Sequence, residues 1–237
     1  MTPARTDTRR SDTRRGRPWT NARDLFNTYA CLSDPRSVAD MDRAFRRMLD
    51  KAYASAAAAG TALDLYVDGS WNQAKGSAGI GVAAMTDRSA EPWQAPNAML
   101  GKPVRAKGSF EAELYAVAIG ISYALDTFPG IKYVRLRYDC SRTPVCAANL
   151  DAYSDRGAPY TNLRSAMARA RKNGVTIAFE HVKAHVGDRP NDACDALAKH
   201  YAGVPMGKRQ RGIAAAATAG RKPETRPTRK EARNGQD

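Results

Sequence analysis

The stretch that decides the fold is residues 62–70, which reads Ala-Leu-Asp-Leu-Tyr-Val-Asp-Gly-Ser. Its aliphatic residues fall at alternate positions, at Leu63, Leu65 and Val67. This period of two is typical of a β-strand with one buried face. The aliphatic pattern stops at Asp68-Gly69-Ser70. Because α/β proteins place their chemistry at strand ends, Asp68 is the first candidate functional residue.

The sequence after this strand alternates between further strands and helices. Strands are predicted at Ile80–Ala84, 98–107, Val134–Tyr138 and Val175–Phe179. Helices are predicted at Glu111–Thr127, at Thr161–Lys172 and from Pro190 to about Ala202. The order is three strands, a helix, a strand, helices, a strand and a helix. This order favours a mixed α/β layer fold over a regular doubly wound one.

Residues 18–60 form a predicted helical extension before the sheet. A short helix is predicted at Thr20–Ala30, and a longer one from Ser33-Asp34-Pro35 to about Ala59, before Gly60. The longer helix has one expected apolar stripe, made of Val38, Met41, Phe45, Met48 and Ala52. The simplest interpretation is that this stripe packs against the main domain. A helical dimer contact, a substrate-binding arm and a protein partner remain open.

Positive charge is concentrated at the two ends of the chain. The 237 residues include Lys+Arg 38 against Asp+Glu 24, a formal net charge of +14. Residues 1–17 hold six arginines and two aspartates, and residues 207–237 hold nine basic and three acidic residues. Both segments lack large apolar side chains apart from Ile213, so 1–17 and 205–237 are expected to be disordered basic tails. We expect the tails to contact nucleic-acid phosphates, although a purely solubilising role is open.

Composition argues against several classes of protein. No apolar run approaches the length of about 18 residues that a membrane-spanning helix needs, so no membrane association is expected. No apolar segment follows the first residues, which argues against a secretory signal. The four cysteines form no CxxC pair, which disfavours a disulfide framework or a structural zinc site. We expect a soluble cytoplasmic protein, with nucleic acid as the first candidate partner.

Four acidic residues fall where a sheet and its helices would bring them together. Asp68 and Asp139 end predicted strands, and parallel neighbouring strands would place both carboxylates at one edge. Glu113 lies in the first turn of a predicted helix, and Asp195 lies four residues after Asn191 on one helix face. Clustered carboxylates repel unless a cation neutralises them, and oxygen ligands select Mg²⁺ or Mn²⁺ over zinc. Taken singly, each acid also fits an ordinary role at a turn, a helix N-terminus or a solvated helix face.

Four motifs carry a family resemblance: Asp68-Gly69-Ser70, Ala112-Glu113-Leu114, Tyr138-Asp139-Cys140-Ser141, and His181–Gly187 followed by Asn191–Asp195. In their order and on these elements they resemble type 1 ribonuclease H, over roughly residues 62–202. The last motif is the most specific, because it fixes His185, Asn191 and Asp195 together. The resemblance implies an α/β catalytic domain at 61–204, with a five-stranded mixed sheet flanked by helices.

The resemblance also implies an activity and a set of site residues. The expected reaction is cleavage of the RNA strand of RNA–DNA hybrids, leaving 5′-phosphate and 3′-hydroxyl ends. The four acids Asp68, Glu113, Asp139 and Asp195 would hold two Mg²⁺ ions, with Mn²⁺ able to substitute and Asp68 touching both. His185 would help the product or a proton to depart. Residues expected to contact substrate are Gly69, Ser70, Ser109, Lys183 and Asn191.

Two features depart from the family pattern. Many bacterial members carry a basic, Trp-containing protrusion where this chain has residues 142–162, which have no Trp and no net charge. Substrate grip is therefore expected from the N-terminal helices, the tails or a basic helix containing Arg164, Arg169, Arg171 and Lys172. The residues before Glu113 lack the usual Asn, and Ser109 is expected to contact the RNA 2′-hydroxyl in its place.

Two alternative functions stay open at this stage. One keeps the fold and the metals but acts on double-stranded RNA or within a larger assembly. The other is a weak or inactive protein that binds nucleic acid as a scaffold. The intact set of acids argues against the scaffold, because a decayed site has no physical reason to keep repelling carboxylates together.

Overall fold

A computed structural model describes residues 35–86, 96–140, 142–148, 150, 156–182 and 189–219 of the chain. The helices are α1 (Pro35–Ala58), α2 (Ser109–Thr127), α3 (Thr143–Ala148), α4 (Ala158–Lys172), α5 (Arg189–Ala202) and α6 (Lys208–Ala219). The strands are β1 (Ala62–Asn72), β2 (Ser77–Met85), β3 (Ala98–Val104), β4 (Tyr133–Tyr138) and β5 (Thr176–His181). No helix among the described residues is long and apolar enough to cross a membrane.

The five strands form one mixed sheet in the order β3-β2-β1-β4-β5. Strands β1, β2 and β3 pair in antiparallel fashion, whereas β4 pairs in parallel with both β1 and β5. The predicted fold class, an α/β protein with a five-stranded mixed sheet flanked by helices, is confirmed. The parallel register of β1 and β4 ends with Tyr66 opposite Arg137. Asp68 and Asp139 therefore leave the paired region at the same edge.

One face of the sheet holds the main hydrophobic core. The aliphatic side chains Leu63, Leu65 and Val67 are fully buried on this face. Helix α2 packs on β1 and β2, and α4 packs on α2. The predicted alternation of β1 is confirmed, because every second side chain of the strand faces the helices on this side of the sheet.

Helix α5 lies on the opposite face, across β1, β2 and β3. Two glycines of β2 allow its backbone to come close. A Cβ atom added at Gly81 would lie 2.1 Å from the Cys194 carbonyl oxygen, and one at Gly79 would lie 2.4 Å from that of Ala198. Both distances are far below van der Waals contact, so side chains at these positions would push α5 off the sheet. The close packing places Asp195 beside β1 and β2.

Helix α1 docks on β1 and β4 through polar contacts. The Tyr53 hydroxyl donates to Asp64 Oδ2 at 2.9 Å, and Arg135 Nε lies 2.6 Å from Asp64 Oδ1. The Arg135 guanidinium also stacks on the Tyr53 ring, 3.6 Å from its centroid. A cavity of about 430 Å³ remains between α1 and β4–β5. Because Asp64 is fully buried, these donors offset the cost of removing its charge from water.

The face that α1 buries differs from the expected stripe. The half-buried residues are Phe45, Leu49, Tyr53 and Ala56, whereas Met48 and Ala52 are exposed. The prediction was wrong for Met48 and Ala52, because the helix turns to bring Tyr53 onto buried Asp64. An unsatisfied buried carboxylate costs more free energy than one exposed methionine. The side chains of Val38 and Met41, and the predicted helix Thr20–Ala30, lie outside the described residues.

The C-terminal segment also differs from expectation. Residues 208–219, predicted to belong to a disordered tail, form α6 and pack on α5. Ala214 is buried there, and Arg209 lies 2.9 Å from Asp192 of α5. The physical reason is the alanine-rich run from Ala214 to Ala217, since alanine has the lowest cost in a helix. Residues 1–17 and 220–237 of the predicted tails lie outside the described residues, and α3 is a short helix that the sequence did not predict.

Candidate metal centre

Three acidic side chains meet at the edge where β1 and β4 part. Asp68 lies in β1, Glu113 in the first turns of α2, and Asp139 directly after β4. Each offers a carboxylate oxygen, and these oxygens all lie within 4.8 Å of one another. Asp68 and Glu113 are buried and Asp139 is half-buried. The expectation that Asp68 ends its strand was inexact: β1 runs on to Asn72 as half of a hairpin with β2, and only its pairing with β4 stops before Asp68.

Gly69 makes the approach of α2 to β1 possible. A Cβ atom at Gly69 would lie 2.3 Å from the Ala112 carbonyl carbon and 2.4 Å from the Glu113 backbone nitrogen. Any side chain would therefore push the first turns of α2, and Glu113 with them, away from Asp68. The backbone N–H of Gly69 also donates towards the carboxyls of Asp68 and Glu113, which lowers the pKa of each. The residue after Asp68 must therefore be a glycine, because the backbone of α2 leaves no space for a side chain there.

The electrostatic state of the cluster follows from burial and crowding. Burial raises the pKa of Asp68 well above its ordinary value, and the charges of Asp139 and Asp195 raise it further. The pKa of Glu113 is likewise raised well above its ordinary value, first by burial and then by Asp68, Asp139 and Cys140. Such a cluster either keeps protons or binds a cation, since it cannot carry all its negative charges at low cost.

Asp195 lies close to this cluster, but its carboxylate contacts other side chains. Its charge raises the pKa of Asp68, whereas the nearby Lys199 lowers it. Lys199 Nζ lies 2.7 Å from Asp195 Oδ1, and Gln210 Nε2 of α6 donates to Oδ2 at 3.1 Å. Lys199 follows Asp195 by four residues, a spacing that the sequence could have indicated. Gln210 carried no such signal, because its contact depends on how α6 packs.

The other predicted site residues differ in how far they are buried, and two of them are not described. Asn191 is buried, and its Oδ1 has no hydrogen-bond partner among the described residues. Gly69 and Ser70 are half-buried in β1, and Ser109 is exposed at the start of α2. Lys183 and His185 lie outside the described residues.

Two neighbours of the acids make contacts that the sequence did not predict. His181 Nε2 lies 3.0 Å from the backbone oxygen of Asp139, which ties the end of β5 to the acidic edge. The Arg142 guanidinium lies 4.1 Å from the centroid of the Phe110 ring. This stacking holds an exposed cation between the start of α2 and the segment after Asp139.

The sheet order, the flanking helices and the acidic edge together define an α/β protein of the ribonuclease H-like class. A family model described as RNase H matches residues 60–203, more than half of the chain. The chain belongs to the RNase H family, and the resemblance drawn from its motifs is confirmed. A search among curated proteins finds no match.

Solved structures with similarity to this chain include three RNase H proteins. RNase H1 from the archaeon Halobacterium salinarum is 23% identical, with 59% of this chain and 96% of that chain covered and a TM-score of 0.42. The N-terminal RNase H domain of a Mycobacterium tuberculosis protein is 15% identical, covering 66% and 99%, with a TM-score of 0.44. LC11-RNase H1, solved in complex with an RNA/DNA hybrid and isolated from compost by a metagenomic approach, is 16% identical, covering 58% and 94%, with a TM-score of 0.44. Because these identities and TM-scores are low, the assignment of the chain to the RNase H family is based on the family model alone.

Proposed function

We propose that this protein is a metal-dependent endoribonuclease that hydrolyses the RNA strand of RNA–DNA hybrids. The observation that supports it most is the meeting of Asp68, Glu113 and Asp139 within 4.8 Å, inside a domain of the RNase H family. RNase H-like proteins are nucleases that use divalent metal ions, and this chain retains a group of acids able to bind one. The proposed place of action is the cytoplasm.

The donor set fits a hard divalent cation. Three carboxylates, two of them buried, offer oxygen ligands only, and the raised pKa values of Asp68 and Glu113 reflect how unfavourable the charged cluster is without a cation. Oxygen-only sites favour Mg²⁺, with Mn²⁺ as a substitute. In the proposal Asp68, Glu113, Asp139 and Asp195 would hold two ions. When bound, the ions would supply an activated water and stabilise the attacking and leaving oxygens, which would give 5′-phosphate and 3′-hydroxyl products.

The other site residues have proposed roles in handling substrate. Ser109 presents a hydroxyl at the exposed start of α2, where it can both donate to and accept from a ribose 2′-hydroxyl. Asn191 has a buried amide oxygen without a described partner, which suits it to ordering the segment around His185 or a substrate group. His185 is proposed to assist departure of the product or a proton, and Lys183 to meet a phosphate. Gly69 and Ser70 would line the substrate path beside Asp68.

Grip on the nucleic-acid backbone is proposed to come from cations around the acidic edge and from the tails. Arg142 is exposed beside the acids, and its stacking on Phe110 limits the entropy that a phosphate contact would cost. On α4, Arg171 and Lys172 are exposed, whereas Arg169 is engaged by Asp126. The basic residues in 1–17 and 220–237 would add a salt-dependent attraction.

Cleavage of one labelled RNA strand tests this proposal. The strand is presented paired with DNA, paired with RNA and alone, each with Mg²⁺, Mn²⁺ or a chelator, and Asp139→Asn serves as the inactive comparison. The proposal expects cleavage of the hybrid only, dependent on metal and on Asp139. Cleavage of the RNA duplex would favour the double-stranded RNA alternative. Binding of all three without cleavage would favour a scaffold.

A further inference from the structure

The C-terminal helix α6 reaches Asp195 through one side chain. Gln210 Nε2 donates to Asp195 Oδ2 at 3.1 Å, across a sequence separation of 15 residues. The rest of α6 is anchored nearby, with Ala214 buried and Arg209 lying 2.9 Å from Asp192. Helix α6 lies beyond residues 60–203, which the family model matches. The side chain that contacts Asp195 therefore comes from outside the matched domain.

We infer that Gln210 is a positioning residue for Asp195, so that α6 contributes one side chain to the surroundings of the metal centre. This inference rests on the proposed function, in which Asp195 is one of the four metal ligands. It assigns a role to a segment whose composition alone indicates only a basic tail.

The contacts of Asp195 show why a second donor matters. Lys199 Nζ lies 2.7 Å from Oδ1 and 2.8 Å from Oδ2, so it engages both oxygens from one turn along the same helix. A flexible ammonium in this place neutralises the carboxylate and competes with any other cation for its oxygens. Gln210 contacts Oδ2 alone. Its amide is neutral, so it fixes the direction of the carboxylate without cancelling its charge.

The two donors are therefore expected to act on cation binding in opposite directions. Losing Gln210 leaves the carboxylate held only by the flexible Lys199 among the contacts described, so its direction is less fixed and a cation must bear more of the cost of ordering it. Losing Lys199 removes a competing positive charge from a partly buried acid, so a cation is attracted more strongly. A helix that mattered only for packing would not produce this pair of opposite effects.

Calorimetric titration of the full-length chain with Mn²⁺ tests the inference. Gln210→Met keeps the length and helix preference of the side chain but removes the donor, and we expect it to weaken Mn²⁺ binding by about two- to tenfold, the cost of ordering one additional side chain on binding. Arg209→Met is the matched control on the neighbouring residue, and it should bind Mn²⁺ as wild type does. Lys199→Met should bind Mn²⁺ more tightly than wild type. Melting temperatures in chelator establish that all three variants are folded.

The outcomes separate this inference from the proposed function. If wild type binds Mn²⁺, Asp139→Asn does not, and Gln210→Met matches wild type, the positioning role is overturned while the metal centre stands. Equal weakening by Gln210→Met and Arg209→Met would also overturn it, because α6 would then act through packing. If wild type binds no Mn²⁺, or Asp139→Asn binds it unchanged, the metal centre and the inference fall together.

Discussion

Replacing Asp68 with asparagine should make the metal-free protein more stable while abolishing its response to metal. Asp68 is buried, with carboxylate oxygens of Glu113 and Asp139 within 4.8 Å. At an effective dielectric constant of about 20, two unit charges at that distance repel by about 3.5 kcal/mol. Part of this cost is already relieved by proton uptake, which the raised pKa values of Asp68 and Glu113 express. We therefore expect Asp68→Asn to raise the free energy of unfolding by about 1–3 kcal/mol in chelator.

Thermal unfolding followed by circular dichroism measures this effect. For a domain of this size, 2 kcal/mol corresponds to a melting temperature higher by about 4–8 °C. Mg²⁺ should then raise the melting temperature of wild type but not that of the variant, because ligand binding stabilises only a folded state that has the site. An unchanged or lower melting temperature for Asp68→Asn in chelator would refute the repulsion argument. A Mg²⁺ shift equal to that of wild type would refute the assignment of Asp68 to a metal centre.

Asp64 provides the matched control on the same strand. It is also a buried aspartate of β1, but Arg135 and Tyr53 bind its carboxylate. Asp64→Asn leaves Arg135 poorly compensated and should lower the free energy of unfolding by about 3 kcal/mol. Asp64→Asn is therefore expected to lower the free energy of unfolding, whereas Asp68→Asn, four residues along the same strand, is expected to raise it. A similar result at both positions would show that burial, and not the partner of each carboxylate, controls stability here.

Three further predictions follow from the same structure. In chelator, the free energy of unfolding should fall as the pH rises above about 4, because the raised pKa values of Asp68 and Glu113 let the folded state keep protons that the unfolded chain releases. Urea unfolding should show this fall in wild type and a smaller one in Asp68→Asn, and an equal slope in both would contradict it. Gly69→Ala should lose hybrid cleavage and Mn²⁺ binding, since its Cβ would meet the backbone of Ala112 at 2.3 Å. Gly212→Ala, on helix α6, where a Cβ meets nothing within 4 Å, should retain both, and full activity of Gly69→Ala would disprove the close approach. Deleting 1–17 and 220–237 should weaken hybrid binding at low salt and flatten its salt dependence with little change in kcat, and an unchanged salt slope would mean that the tails do not contact phosphates.

The sequence predicted the sheet and the acidic edge because their signals are local. Alternation in residues 62–70 and the Asp-Gly pair each depend on a few neighbouring side chains. The parallel pairing of β1 with β4 then brought Asp68 and Asp139 to one edge, as the motif order implied.

The features that the sequence did not predict depend on long-range packing. The buried face of α1 is set by Tyr53 reaching Asp64, which no helical period within 35–58 reveals. The contact of Gln210 with Asp195 exists only because α6 folds back onto α5. The stacking of Arg142 on Phe110 likewise joins segments that the chain order separates. In each case a polar side chain contacts a residue that only the packing of the main layers brings close.

Anomalous X-ray diffraction from crystals grown with Mn²⁺ would test the central claim most directly. Manganese scatters anomalously, so the ion can be located independently of any assumption about the site. We predict strong anomalous density among the carboxylates of Asp68, Glu113 and Asp139, with Asp195 facing it, and no such density in Asp139→Asn crystals. Manganese found only elsewhere on the wild-type protein, or unchanged at this edge in the variant, would contradict the account of these acids as a metal centre.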